Sequence, residues 1–249
     1  MRRVRAIAVG ALLVLCVGVV IAYQATRPSA ASPGASVFVP SPGFYERFSP
    51  SVRTTLADAY WLYAVQYYGE HATHDYKLDS LPALMNLVTT LSPHFKEAYF
   101  FGALSMVDAG RPAIGYALLE HGFKANPNDW RFPFYLGFFV YAYASGAQKD
   151  AIASQWYQQA ARLPGAPPFV SRMAAELATK GNERQTAIDL WTQVYVQGDK
   201  YARQKAVTAL DGLLPTGKVA RERAVASLES SVPHTLFGQF VADLFQGYQ

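Results

Sequence analysis

From residue 49 onward, apolar side chains return every three or four positions, the spacing of helices that each bury one side. No run alternates apolar and polar as a half-buried strand would, so the pattern predicts an all-α body. Prolines and glycines divide it into helices. Ser49 and Pro50 supply an N-cap and a first-turn proline for a helix running to Tyr68. A second covers residues 78–91, with Leu78, Leu81, Met85, Val88 and Leu91 on one face and Pro93 beyond its end. A third spans 95–108 and stops at Gly110; a fourth opens at Pro112 and ends before Pro127. A fifth covers 130–145, and a sixth covers 149–163 until Pro164-Gly165 breaks it. A seventh spans 168–180, closed by Gly181. An eighth begins at Asn182, with Gln185 completing a capping box, and ends at Gly198. Three more helices are expected at 200–210, 218–227 and 235–245. The connections are short, so neighbours are expected to be antiparallel.

The fifth helix carries eight aromatic side chains in the sixteen residues 130–145. A helix this apolar all round must be covered on most sides. Arg131 and Pro133 interrupt it, and it is too short to cross a membrane.

A second pattern overlies the first. Tyr63-Ala64, Phe101-Gly102, Leu136-Gly137 and Met173-Ala174 each put a large apolar residue before a small one, at intervals of 38, 35 and 37 residues. The small member is expected where two helices cross closely. The helices that come after them carry Gly115 and Leu119, Ala153 and Tyr157, or Ala187 and Trp191, a small residue and then a large one four positions later. Proline closes three of the units, at Pro93, Pro127 and Pro164. The set resembles the tetratricopeptide repeat (TPR) family, whose pattern is W-x2-L-G-x2-Y, then A-x3-F, then P over about 34 residues. The resemblance covers residues 56–198. The chain departs from it in several places. Its intervals are longer, a longer turn lies at residues 145–149, and Pro133 stands where an aromatic residue usually begins the motif. Ala83 and Leu87 are the best, poorly fitting pair of the first unit's second helix. The resemblance implies a TPR-like solenoid of helix pairs over residues 49–198, with 199–249 as capping helices.

In TPR proteins the first helix of each pair lines a groove that holds a protein segment. Carried onto the matching helices here, the resemblance implies Trp61, Tyr68, Tyr99, Phe134, Phe138 and Tyr141 as partner-binding residues, with Lys96 and Arg131 for anionic groups. Aromatics and arginine are the residue types in which binding energy concentrates.

Charge and composition bear mainly on the front of the chain. Of the net charge of +4, Arg2, Arg3 and Arg5 supply three, leaving no basic stripe to follow a nucleic acid. Directly behind them, residues 6–22 are seventeen consecutive apolar positions. Residues 1–23 therefore read as a signal anchor or signal peptide, with the N-terminus cytoplasmic and the body extracytoplasmic. Small residues near position 22 keep cleavage open. Residues 24–48, rich in Pro, Ser and Ala, read as an extended linker. The single cysteine, Cys16, lies in the apolar run, so the exported body has no disulfide and no thiolate site.

Candidate chemistry is thin. Gly212 to Lys218 matches most of a phosphate-binding loop, but Val219 stands where Ser or Thr must hold magnesium, and the preceding residues read as helix. Glu70, His71, His74 and Asp75 crowd what reads as an interhelical loop, yet two imidazoles without a third spaced ligand make a weak metal signal. No metalloprotease, serine-hydrolase, dinucleotide or haem-attachment motif occurs. The expectation is a membrane-anchored scaffold, without cofactor or metal, that binds a protein or peptide partner in the cell envelope. An exported glycan-acting enzyme and an apolar-ligand carrier with a pocket ringed by Phe134, Phe138 and Phe139 are the alternatives.

Overall fold

Eleven α-helices and one short 3-10 turn account for the regular structure of this computed structural model, which describes residues 50–75 and 77–246. No strand occurs among the described residues. In chain order the helices are α1 (Pro50–His74), α2 (Leu81–Leu91), α3 (Lys96–Asp108), α4 (Pro112–Ala125), α5 (Arg131–Tyr143) and α6 (Lys149–Ala161). They continue as α7 (Pro168–Lys180), α8 (Arg184–Gln197), α9 (Lys200–Leu213), α10 (Lys218–Ala226) and α11 (His234–Phe245), with the 3-10 turn at Glu229–Ser231. The expected apolar span, the linker and the Ser49 cap lie outside the described residues.

From α1 to α9 each helix packs on the next one in the chain, and the core is a succession of clusters between them. One cluster joins Tyr99 and Ala103 of α3, Leu119 of α4, and Phe132, Leu136 and Phe139 of α5. The next joins Val140 of α5, Ala153, Tyr157 and Ala160 of α6, and Val170, Ala174 and Leu177 of α7. A third continues from Ala175 through α8 and α9 to Phe240 and Leu244 of α11. The expected face of α2 is buried in full: Leu78, Leu81, Met85, Val88 and Leu91.

The small-residue positions explain how the helices approach. Ala64, Gly102, Gly137 and Ala174 are all buried, as are Gly115, Ala153 and Ala187 of the second helices. A Cβ on Gly137 would lie 3.2 Å from the Ala153 carbonyl oxygen and 3.2 Å from the Trp156 Cβ, so α5 rests almost directly on α6. Leu119, Tyr157 and Trp191, one turn after the second-helix small residues, are all buried. The large partners on the first helices vary more: Leu136 is buried, Phe101 and Met173 are half-buried, and Tyr63 is exposed.

Two local expectations are corrected. The first helix does not stop at Tyr68 but continues to His74, which puts Glu70, His71 and His74 on its last turns and not in a loop. The His71 Nδ1 lies 2.7 Å from the Asp75 carboxylate and the His74 Nδ1 2.9 Å from the Glu70 carbonyl oxygen, so these polar groups finish the helix that carries them. Gln185 forms no capping box; its amide donates to Asp189 at 3.0 Å. Gly181 is the C-cap of α7, as expected, and the left-handed residue that follows it is Asn182, φ 58°. The backbone N–H of Asn182 donates to Thr179 and that of Glu183 to Ala178, which satisfies the last carbonyls of the helix. Gly181 also lets the end of α7 approach α6 closely, since a Cβ there would meet the Ala151 backbone nitrogen at 2.8 Å.

The end of the stack is closed by a buried charge. Arg221 of α10 is the largest fully buried side chain among the described residues, donating to the Asp211 carboxylate at 2.6 Å and to the Leu244 carbonyl oxygen at 3.0 Å. Tyr195 of α8 donates to Asp243 of α11 at 2.5 Å, and its ring lies 4.8 Å from Phe240. Turns are tied together as well: the Asn126 side-chain amide donates to the Pro93 and Gly122 carbonyl oxygens, both at 3.1 Å, linking the turns before α3 and α5.

Candidate functional site

The odd-numbered helices α1, α3, α5, α7 and α9 are joined to one another by aromatic side chains. Trp61 and Tyr68 of α1 meet Phe101 of α3 edge-on at 5.1 and 5.2 Å. Phe100, the next residue of α3, meets Tyr135 of α5 at 5.1 Å. Phe134 of α5 meets Phe169 of α7 at 5.8 Å, and the Arg172 guanidinium of α7 lies 5.7 Å from the Tyr201 ring of α9. Adjacent residues such as Phe100 and Phe101, or Phe134 and Tyr135, point about 100° apart on a helix, so each first helix reaches both neighbours.

Exposed apolar area gathers on the same helices. Of the twelve large hydrophobic residues that remain exposed among the described residues, nine lie on α1, α3, α5, α7 or α9, which marks this layer out from the second helices. Leu62 is 62% exposed, Leu104 41%, Tyr141 39%, Phe169 39% and Tyr201 59%. Between α7, the end of α8 and the start of α9 a cleft of about 500 Å³ opens beside Phe169, lined by Arg172, Val194, Gln197, Asp199 and Ala202.

The residues expected to contact a partner divide into three groups. Trp61, Tyr68 and Phe134 are half-buried members of the aromatic row, and Tyr68 also donates its hydroxyl to Asp108 at 2.5 Å. Phe138 is half-buried against Phe139 and Tyr143, at 6.1 Å from each ring, and Tyr141 is exposed. Phe134 packs in the α5–α7 cluster and Phe138 in the α3–α5 cluster, so the stripe expected from Phe134 through Phe138 to Tyr141 is split between two neighbours. Tyr99 departs furthest from its expected role. It is fully buried against Phe132 at 5.7 Å, its hydroxyl is pushed up to about 12 by burial, and its ring offers no face to a partner.

Lys96 and Arg131 are likewise committed within the chain. Asp129, whose side chain is only 8% exposed, binds the Lys96 ammonium at 2.9 Å and the Arg131 guanidinium at 2.7 Å. It also accepts the Arg131 backbone N–H at 3.1 Å, which anchors the first turn of α5. Hydrogen bonds from the Arg131 side chain, then Lys96, hold the Asp129 carboxyl well below the usual carboxylate range against the opposing effect of burial. Arg131 lies 4.9 Å over the Phe100 ring and 3.8 Å from Glu97. The cluster fastens α3 to α5, and its two cations already share one buried acceptor.

Sequence reasoning missed Leu104, Tyr135, Phe169 and Tyr201. Helical spacing could have found Tyr135, because Arg131, Tyr135, Phe138 and Ala142 fall at i, i+4, i+7 and i+11 on one stripe. Tyr201 is out of reach because α9 lies beyond residues 56–198, which carry the resemblance, in the stretch expected to cap the body.

No protein-family model matches the chain, and no curated protein does either.

Other candidate chemistry finds little support. Among the described residues no three His, Cys, Asp or Glu side chains stand close enough to hold a metal ion. The segment resembling a phosphate loop joins α9 to α10: its first residues, Gly212 and Leu213, end a helix and not a strand, and Gly217 is the N-cap of the helix that Lys218 begins. No described helix is long and apolar enough to cross a membrane.

Proposed function

We propose that this chain is a membrane-anchored, extracytoplasmic scaffold with a TPR-like solenoid body, and that the row of first helices binds a segment of a partner protein. The observation that carries the reading is the concentration of exposed apolar side chains on α1, α3, α5, α7 and α9, with neighbouring pairs joined by ring–ring contacts and, between α7 and α9, by a guanidinium over a ring. Exposed apolar area concentrated on one set of helices is favourable ground for protein–protein contact. The alternation of small and large residues, buried where helix pairs meet, supports the repeat reading. The anchor and linker belong to residues 1–48, where the sequence alone supports them; tethering there raises the effective concentration of the row for partners in the same membrane. A carrier needs Phe134, Phe138 and Phe139 around one space, whereas Phe134 packs in a different cluster from the other two.

The test is a double substitution, Phe169→Ala with Tyr201→Ala, in the full chain. Tyr201 is 59% and Phe169 39% exposed, so the helical content is expected to be kept while co-purification of the native partner falls at least about tenfold. Undiminished co-purification would refute the reading.

A further inference from the structure

The row is electrically polar from one end to the other. Along α1, Arg53 stands against Asp58 and Glu70; along α3, Lys96 stands against Glu97 and Asp108. Each of these helices is net −1 with histidine neutral. In α5 Arg131 is the sole charge within the helix, +1, and the buried Asp129 just before it is its partner. In α7 Arg172 and Lys180 outweigh Glu176, again +1, and in α9 Lys200, Arg203 and Lys205 outweigh Asp211, giving +2. Each second helix from α2 to α8 is net zero: α2 has no charge, and Glu120 and Lys124, Lys149 and Asp150, and Arg184 and Asp189 cancel. The gradient therefore belongs to the exposed aromatic layer and not to the body as a whole.

At the positive end the cations stand on the exposed rings. Lys149 and Lys180 each lie 5.5 Å from the Tyr141 ring. Arg172 lies 5.7 Å and Lys205 5.9 Å from the Tyr201 ring. The α7 helix supplies one cation to each tyrosine, and the exposed Phe169 is on the same helix. The nearest carboxylate of α7, Glu176, is 3.9 Å from the Arg172 Nε, too far for a hydrogen bond. Such a surface takes an apolar or aromatic side chain on its rings and a carboxylate at their rims.

We propose that the segment docked on this row is charge-polarised, with Asp or Glu residues over α7 and α9 and an apolar or basic stretch over α1 and α3. This inference rests on the docking reading above and adds the chemistry and orientation of the occupant. The acidic end of the row argues against a uniformly anionic ligand. A nucleic acid or anionic lipid surface drawn to Lys180 and Lys205 would bring the same charge over Asp58, Glu70, Glu97 and Asp108. A polypeptide alone can change sign along its length to match.

The full chain in detergent micelles is panned against a random dodecapeptide library displayed on phage, and a synthetic consensus peptide is then titrated. The expected result is enrichment of peptides that cluster Asp and Glu at one end beside Leu or an aromatic residue. Lys180→Glu with Lys205→Glu, both at exposed positions, is expected to keep the helical content while lowering affinity for the synthetic peptide about tenfold. Enrichment of peptides without charge bias, whose binding is lost in the Phe169→Ala, Tyr201→Ala protein, would overturn the polarity and leave the docking face standing. Displacement of the peptide by a single-stranded oligonucleotide would overturn the polarity in favour of a general anion surface. Enrichment of nothing would overturn both.

Discussion

Gly122→Val will cost the folded body about 3 kcal/mol or more, the upper end of what overpacking a core imposes. Gly122 of α4 is buried, and a Cβ added there would stand 2.3 Å from Cε1 of Phe132 and 2.8 Å from Cδ1 of Tyr99. Both rings are fully buried and meet edge-on at 5.7 Å. Neither has an empty direction to move: Phe132 is also 4.6 Å from the Phe100 ring, and the Tyr99 ring packs 5.8 Å from His121. The affected cluster ties α3, α4 and α5 together, so in a stacked array the substitution strikes a link between two halves. Urea unfolding followed by circular dichroism should show a lower midpoint and, if the halves uncouple, two transitions in place of one. Gly69→Ala is the matching control. Gly69 lies within α1 with nothing within 4 Å of an added Cβ, so alanine there should stabilise by about 0.5–1 kcal/mol. A loss at Gly122 below about 1 kcal/mol would mean that the three helices do not meet as described.

The second large effect is electrostatic. Asp129→Asn is expected to destabilise by about 2 kcal/mol at neutral pH, because a neutral amide cannot replace charge-assisted bonds to Lys96 and Arg131. The value is set below the cost of breaking a fully buried pair because the two cations are each 37% exposed and water reaches them. The pH dependence comes from the lowered carboxyl pKa. A group depressed on folding contributes its stability in full above its unfolded value, about 3.9, and loses it as pH falls toward the folded one. The gap between the parent chain and Asp129→Asn should therefore be constant from pH 7 to pH 5 and close as the pH drops below about 4. Thermal or urea unfolding across that range measures it. A gap that persists unchanged at pH 2.5 would assign the loss to packing and not to charge.

Much of the fold was legible because close helix contact leaves few residue choices. Wherever two backbones nearly touch, only Gly or Ala fits, so Gly102, Gly137, Ala153 and Ala187 could be picked out by their spacing before any contact was known. The faces of the first helices were harder to read, for an equally physical reason. Phe, Tyr and Trp serve both in cores and on binding surfaces, and one residue of register turns a side chain by about 100°. Tyr99 and Phe100 are neighbours in sequence, yet the first is sealed in the core and the second reaches Tyr135 along the row. Lys96 and Arg131 were expected to meet anionic groups of a partner, since the sequence alone does not pair them with Asp129. Their separation of 35 residues, one repeat interval, was a sign that both could reach the same turn. The end of α1 was misjudged because Gly69 and the polar residues after it resemble a stop, whereas their side chains bond back to the helix that carries them. The charge gradient was present in the sequence throughout, but only helix boundaries make it a sum over one layer.

The central claim is that the first helices, and not the second, face a partner. Site-specific photo-crosslinking of the full chain in its native cells tests it most directly. Leu104, Phe169 and Tyr201 provide positions on the row, and Ile114 of α4 and Ile152 of α6, each 41% exposed, are controls of closely similar accessibility to Leu104 and Phe169. The account predicts that a photoreactive residue at each of the three row positions captures the same protein, and that both controls stay silent. Capture from Ile114 or Ile152 with silence from the row would contradict it.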